Sequence, residues 1–435
     1  MVMTSTGIWT KAAGFAVAAS LATAMATPIE AADFYKGKTV KIVVGYSPGG
    51  GYDLYARTLG RYLGDDIPGK PNVIVQNMTG AGSLRAANYM YNIAPKDGTQ
   101  MATFTRGVPL LSLTTKDKNL RYDPVKFTWI GSTASYADDA YLLTVRRDKG
   151  VTSVRELMGA KPKQVTFGAT NFGSTGTDVP LVLKETLGIN IRLVHGYPGG
   201  SAINLAISRK EVDGRAQGLS SLRSMGGDWR KDRIALVQFA RADSRHPDLK
   251  DVPTARELAT REEDRALIDM LETAFFMARP YAAPPGIPAD RTEILRTAFM
   301  AAQKSDGYVK DAGKLRLDIS PKTGAEVEKI VARMMAMPPK LIKRYSDILA
   351  NPKAERRKVN WIKVSGVVSK VGKKGRFSFK IDGKGKAQKA RMRNRYTKVK
   401  LNGKKAKSKA IKTGMTCNIW WEGPKSTPGR VECTK

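Results

Sequence analysis

Cysteine and histidine are almost absent: the 435 residues hold only Cys417, Cys433, His195 and His246. No cysteine outside the C-terminal stretch can act as a nucleophile, the two present cannot form C-x-x-C, and no His/Cys/carboxylate cluster has metal-ligand spacing. His246 precedes Pro247 in a polar turn and reads as a surface residue, and His195 reads as a polar residue at a strand end. Thiol, metal and histidine-base chemistry therefore lack their parts, and a Ser-Lys or carboxylate-pair mechanism has no support. The chain is expected to be no enzyme, and neither a cofactor nor a metal is expected. Beyond the N-terminus there is also no apolar run long enough to cross a bilayer.

Acidic residues are scarce too, at 39 against 74 Lys+Arg, for a net charge of +35. The excess is uneven. From Lys353 to Lys435 there are 26 Lys+Arg and 4 Asp+Glu, a net of +22, which leaves +13 for the first 352 residues. A basic tail module is expected to follow a larger body, since a chain of this length exceeds one ordinary core.

What is present begins with an export signature. Met1 to Lys11 forms an n-region and Ala12 to Ala26 an apolar stretch of small residues, about 15 long and short of a membrane span. Cleavage is expected after Ala26, where Ala24-Met25-Ala26 fits A-x-A, or after Ala31. In an oxidising compartment Cys417 and Cys433 are expected to pair, contributing roughly 3 kcal/mol for a loop of this size.

The body alternates short β-branched runs with glycine turns and helices. Thr39 to Val44 reads as a buried strand, followed by Gly45-Tyr46-Ser47-Pro48-Gly49-Gly50-Gly51-Tyr52-Asp53 and a helix. A strand, a glycine turn and a helix start point backbone N–H groups and the helix dipole at whatever lies above, which suits an anion. The turn is neither a Walker A loop nor G-x-G-x-x-G, which disfavours nucleotides. The pattern recurs at Thr79-Gly80-Ala81-Gly82-Ser83, at Thr105-Arg106-Gly107, at Asn171-Phe172-Gly173-Ser174-Thr175-Gly176-Thr177 and at Pro198-Gly199-Gly200. Alternating elements predict parallel sheets with ligand sites beyond the carboxyl ends of their strands. Convergence of several such turns would make one pocket for a small organic anion.

These residues resemble a family. Lys41-Ile42-Val43-Val44 with Ser47-Pro48-Gly49-Gly50-Gly51 and Asp53-Leu54-Tyr55-Ala56-Arg57 is similar to the opening of Bug-type receptors, the periplasmic solute-binding proteins of tripartite tricarboxylate transporters. Asn77 to Gly82, Pro95-Lys96-Asp97-Gly98-Thr99, Gly173 to Thr177, Lys210 to Asp213, Val252 to Glu257 and Ala283 to Pro288 resemble further family motifs, in family order, over about residues 33 to 350. The resemblance implies a type II periplasmic-binding-protein fold of two α/β lobes closing on a carboxylate. Lobe one would comprise 33–132 and 242–352 and lobe two 133–241, with crossings near Phe127–Thr133 and Ile234–Ala242. It also implies a periplasmic location and membrane transporter subunits as partners.

Carried over by position, the ligand-binding candidates are Ser47, Gly49, Gly50, Gly51, Tyr52, Asp53, Gly80, Ala81, Gly82, Ser83, Thr105, Arg106, Asn171, Gly173, Ser174, Thr175, Gly176 and Thr177. Tyr52 and Arg106 depart from the family, which has small polar residues there. Arg106 is read either as a solvated or acid-paired surface arginine or as pairing with a second ligand carboxylate, and Asp53 as orienting the helix start.

Residues 359–435 change to short alternating strands, with Asp382-Gly383 and Asn402-Gly403 as hairpin turns. Val399 to Cys417 weakly resembles small OB-like β-barrel domains of exported bacterial proteins. Arg391, Arg393 and Arg395 alternate along an expected strand and would share one face, suited to polyanions. Export disfavours nucleic acid as the natural target and favours an anionic envelope surface. A binding module for a sensor or envelope partner is therefore the alternative to a transport receptor. Phe377 and Phe379 share a face and could stack on bases, but read as core.

Overall fold

Val40, Ile42 and Val44 face one core while Val43 faces another, so the first strand is buried on both sides, as a central strand of an α/β sheet must be. The computed structural model describes residues 34–114, 119–136, 139–158, 161–239, 245–350, 355–356, 362–392, 397–421 and 428–434. The expected export segment 1–31, the end of the second crossing at 240–242, and Arg393 and Arg395 lie outside the described residues. The chain divides into two compact units, Met1–Arg356 and Arg357–Lys435.

The first unit holds two mixed sheets. Strands β1 (Thr39–Val44), β2 (Asn72–Asn77), β3 (Gln100–Thr103) and β4 (Thr128–Ser132) open the first sheet; β5 (Tyr141–Arg146), β6 (Val165–Gly168), β7 (Ile191–His195), β8 (Gly214–Gly218) and β9 (Arg233–Phe239) build the second; β10 (Pro280–Ala283) and β11 (Lys322–Thr323) return to the first, and β12 (Glu355–Arg356) to the second. Their orders are β11-β4-β10-β3-β1-β2 and β12-β7-β6-β8-β5-β9. Within them β1 pairs in parallel with β2 and β3, and β6 with β7 and β8. The chain thus crosses between sheets after β4 and after β9, which makes two α/β lobes of the periplasmic-binding-protein type.

Helices cover both sheets: α1 (Gly51–Tyr62), α2 (Leu84–Asn92), α3 (Val108–Thr114), α4 (Thr175–Leu187), α5 (Gly200–Ser208), α6 (Leu219–Arg223), α7 (Ala255–Leu258), α8 (Glu262–Thr273), α9 (Ala289–Ala302), α10 (Asp306–Lys314), α11 (Gly324–Met335) and α12 (Pro339–Ala350). Helix α1 follows β1, α4 follows β6 and α5 follows β7, each after a glycine turn at the strand's carboxyl end.

The second unit is all-β. Strands β13 (Ile362–Val371), β14 (Arg376–Ile381), β15 (Gln388–Arg391), β16 (Lys398–Leu401), β17 (Lys404–Ala406), β18 (Thr416–Trp421) and β19 (Arg430–Thr434) form one sheet in the order β15-β14-β13-β18-β19-β16-β17. Asn402 (φ 48°) and Gly403 (φ 77°) turn β16 into β17, and Asp382 (φ 48°) and Gly383 (φ 72°) follow β14, the positive φ pairs that two-residue hairpin turns demand. Phe377, Phe379, Ile419, Trp421 and Val431 make the core, with Cys417 disulfide-bonded to Cys433 beside them. β15 ends at Arg391 and β16 begins at Lys398; Arg393 and Arg395 between them lie outside the described residues.

Candidate functional site

The two lobes fix their glycine turns in the same way. In lobe one Gly49 has φ +79°, and its N–H donates to Asp53 Oδ2 at 2.8 Å. Asp53 is 2% exposed in the first turn of α1, and also accepts from Arg57 Nε at 2.9 Å and Asn77 Nδ2 at 2.7 Å. Its carboxylate is consumed by the turn and orients the helix start. In lobe two Gly173 has φ +78°, and its N–H donates to Asp178 Oδ1 at 3.0 Å, in the first turn of α4. Burial pushes the Asp178 carboxyl up to about 7, against the lowering effect of hydrogen bonds from Tyr345 and Gly173.

Beyond each pinned glycine, the first N–H groups of the helix have no intrahelical acceptor. The residues that carry them, Gly50, Gly51 and Tyr52 on α1 and Thr175 and Gly176 on α4, line a single cavity between the lobes, with Gly49 and Ser174 beside them. The cavity is small, about 120 Å³, enough for several waters or one small organic molecule.

Three arginines reach this cavity. Arg106, just after β3, is 3% exposed; its backbone N–H donates to the Tyr52 hydroxyl at 3.2 Å, and its guanidinium lies 5.4 Å from the Tyr141 ring centroid and 5.3 Å from that of Phe275. Burial opposes the charge on Arg106, but Tyr52, Tyr141 and the Asp139 carboxylate outweigh it and hold the guanidinium above its ordinary pKa. Arg215, in β8 of lobe two, donates to the Gly200 carbonyl at 2.6 Å, and burial pushes it down to about 10. Arg279, just before β10, is 2% exposed and donates to the Ser221 hydroxyl at 2.9 Å, with Asp139 at 4.0 Å. Asp139 in turn accepts from the N–H and hydroxyl of Ser220, at 3.1 and 3.0 Å.

Arg279 therefore has a carboxylate close by. Arg106 and Arg215 form no ion pair with a carboxylate among the described residues, although each is drawn into the cleft from a different lobe. Among the described residues Asp139 is the one carboxylate that acts on Arg106 and Arg279, and none acts on Arg215, so three cations share one acid and the cavity favours negative charge. The lining contains no carboxylate, histidine or cysteine.

The other expected site residues brace the walls. Ser47 N–H donates to Pro198 O at 3.2 Å and its hydroxyl lies 3.3 Å from that of Ser201, across the lobes. Thr105 Oγ1 donates to Gly173 O at 3.4 Å, a second bridge. Gly80, Ala81, Gly82 and Ser83 form a tight turn with positive φ throughout; Ser83 Oγ accepts from Thr105 N–H at 2.7 Å, and Gly82 O accepts from the Tyr46 hydroxyl at 3.4 Å. Asn171 caps its own loop by accepting from Phe172 N–H, and Thr177 meets Ser174 Oγ at 3.2 Å. None of these is among the lining residues.

Sequence reasoning missed Arg215, Arg279, Tyr46 and Tyr141. The available signal for Arg215 was an arginine flanked by small residues, Gly214-Arg215-Ala216, inside a short strand. His195 ends β7 at 6% exposure against the Phe172 ring, and burial pushes it down to about 4. It is a neutral packing residue outside the cavity lining.

Taken together, the two lobes, the glycine turns at strand ends and the cationic cleft define a solute-binding fold. The comparisons agree. No family model matches the chain. It is 27% identical over 313 residues to the UPF0065 protein in the gbd 5′ region of Cupriavidus necator, covering 70% of this chain and 87% of that relative. Its structure is similar to the periplasmic binding protein BugD, with a TM-score of 0.56 at 17% identity, covering 74% of this chain and 100% of BugD. It is likewise similar to MatC from Rhodopseudomonas palustris with bound malate, with a TM-score of 0.54 at 20% identity, covering 72% and 99%. The chain is Bug-like in sequence and in fold.

Proposed function

We propose that this chain is an exported, non-enzymatic receptor that captures a small dicarboxylate between its lobes and delivers it to membrane transporter subunits. One observation carries the reading: Arg106 from lobe one and Arg215 from lobe two enter the same cavity with no direct carboxylate ion pair among the described residues. A monoanion relieves one of them. A dianion relieves both, and by bridging the lobes it favours the closed form over the open one. The helix N-termini at Gly50–Tyr52 and Thr175–Gly176 supply N–H donors to the same anionic groups. Malate bound in the similarly folded MatC is a ligand of this chemical kind. Turnover is not called for, because the cavity lining lacks a nucleophile–base pair.

Export to the periplasm rests on the N-terminal segment and on kinship with periplasmic binding proteins. The basic β unit favours an additional partner at the envelope surface. Native mass spectrometry of freshly purified protein should reveal a co-purified diacid of fewer than about ten carbons, released on denaturation. A cavity that never retains or binds a diacid would reject the reading.

A further inference from the structure

The second unit carries 24 Lys+Arg against 3 Asp+Glu, a net of +21, and its strand register shows where part of that charge goes. Lys363 on β13 pairs with Trp420 on β18, Trp420 with Arg430 on β19, and Arg430 with Lys398 on β16. Residues in register share one face of a sheet, so these four form a continuous row across four strands, about 14 Å long. The next row on that face runs Ser365, Asn418, Glu432, Lys400 and Lys405. Glu432 is its one carboxylate, held by Arg430 at 2.5 Å and Lys400 at 3.3 Å. The intervening residues Ile419, Trp421, Val431 and Val399 point into the core. Five cations and one acid thus share the outer face with a half-buried tryptophan.

We propose that this face docks onto the anionic headgroup layer of a lipid membrane. Lys363 and Arg430 place cations 5.5 and 4.7 Å from the Trp420 ring centroid. That takes the indole away from base stacking, and Trp421 on the same strand and Phe377 and Phe379 on β14 are core. Single-stranded nucleic acid needs successive aromatic platforms along a basic groove, and among the described residues this face offers one. An amphipathic indole ringed by basic side chains suits the headgroup level instead, where each cation adds attraction to anionic lipid and the lysine stems lie along the apolar boundary.

The test is co-sedimentation of the full-length protein with vesicles of about 30% phosphatidylglycerol in phosphatidylcholine, at about 50 and about 300 mM salt. Binding is expected at low salt, to weaken steeply at high salt, and to be absent on phosphatidylcholine alone. Lys363→Glu/Lys398→Glu/Lys405→Glu should lower partition roughly 100-fold, by removing three cations from the face. Lys384→Glu/Lys386→Glu/Lys409→Glu makes the same charge change outside the two rows and should lower it less than about threefold, once screening with distance is counted. Trp420→Phe, a mild change, should abolish the blue shift in tryptophan emission on adding vesicles. Equal losses in the two triple variants, equal binding to neutral vesicles, an unaltered blue shift in Trp420→Phe, or tighter binding to single-stranded DNA than to vesicles would each overturn the proposal.

Discussion

The hydroxyl of Tyr345 on α12 donates to the buried carboxyl of Asp178 at 2.7 Å, tying the last helix of the two-lobed unit to the helix start that lines the cleft. The same carboxyl holds the Gly173 N–H, so one residue sets both the turn and the helix packing. Burial keeps its pKa near 7, well above the ordinary 3.8. A carboxyl raised in this way still holds its proton in the folded state after the unfolded chain has released it. Its contribution to stability therefore falls as pH rises from about 4 to about 7, by up to roughly 4 kcal/mol, and is level above that. Asp178→Asn should remove this slope: the difference in urea-unfolding free energy between variant and wild type should shift in the variant's favour across that window. A difference independent of pH would show that Asp178 titrates normally.

Asp53 predicts the opposite kind of change. It accepts from Gly49, Arg57 and Asn77, and Asp53→Ala removes all three hydrogen bonds, one of them to a charged group. A loss of about 3 kcal/mol is expected by urea denaturation, with Asp53→Asn losing less because it keeps one acceptor oxygen.

Arg106→Gln and Arg215→Gln should separate binding from stability. Arg106 is buried and Arg215 half-buried, and neither makes a direct carboxylate ion pair among the described residues, so apo stability should hold or rise by about 1 kcal/mol. Dicarboxylate affinity should fall by about 30- to 1000-fold, the cost of about 2–4 kcal/mol seen when one partner of a buried charge pair is lost. Calorimetry and thermal melts on the same preparations check both halves.

Gly107→Ala tests closure. Gly107 has ordinary backbone angles, but a Cβ there would lie 2.3 Å from the Gly173 carbonyl oxygen in the opposite lobe. The change should leave the unfolding free energy within about 1 kcal/mol and hold the lobes apart. Weaker ligand binding and a larger radius of gyration by small-angle scattering with ligand present are expected.

The residues that announced themselves in the sequence were those with local signatures. Gly49–Gly51 and Ser174–Gly176 were legible because a glycine turn between a strand and a helix has a conformational meaning of its own, and the structure places both against the cavity. Arg106 was legible as a cation just past a strand end. Arg215 and Arg279 were not, because what distinguishes them is burial created by distant pairings: β8 lies between β5 and β6, and Arg279 meets Ser220 and Ser221 from the other lobe. Gly80–Ser83 has the same local signature as the lining turns yet faces Thr105 and Tyr46, a distinction that only the tertiary arrangement makes. In the second unit, hairpin turns could be read directly, while the Lys363–Trp420–Arg430–Lys398 row depends on a register no single strand reveals.

The most direct measurement is a calorimetric titration, at matched ionic strength, of a C4 to C6 dicarboxylate series against the same acids with one carboxyl converted to a neutral amide. Two cleft arginines, neither in a direct carboxylate ion pair among the described residues, predict that at least one diacid binds about 100-fold tighter than its monoanionic partner, with the advantage lost in Arg215→Gln. Equal affinity for the two, or an advantage that survives in both Arg106→Gln and Arg215→Gln, would contradict a cleft that closes on a dianion.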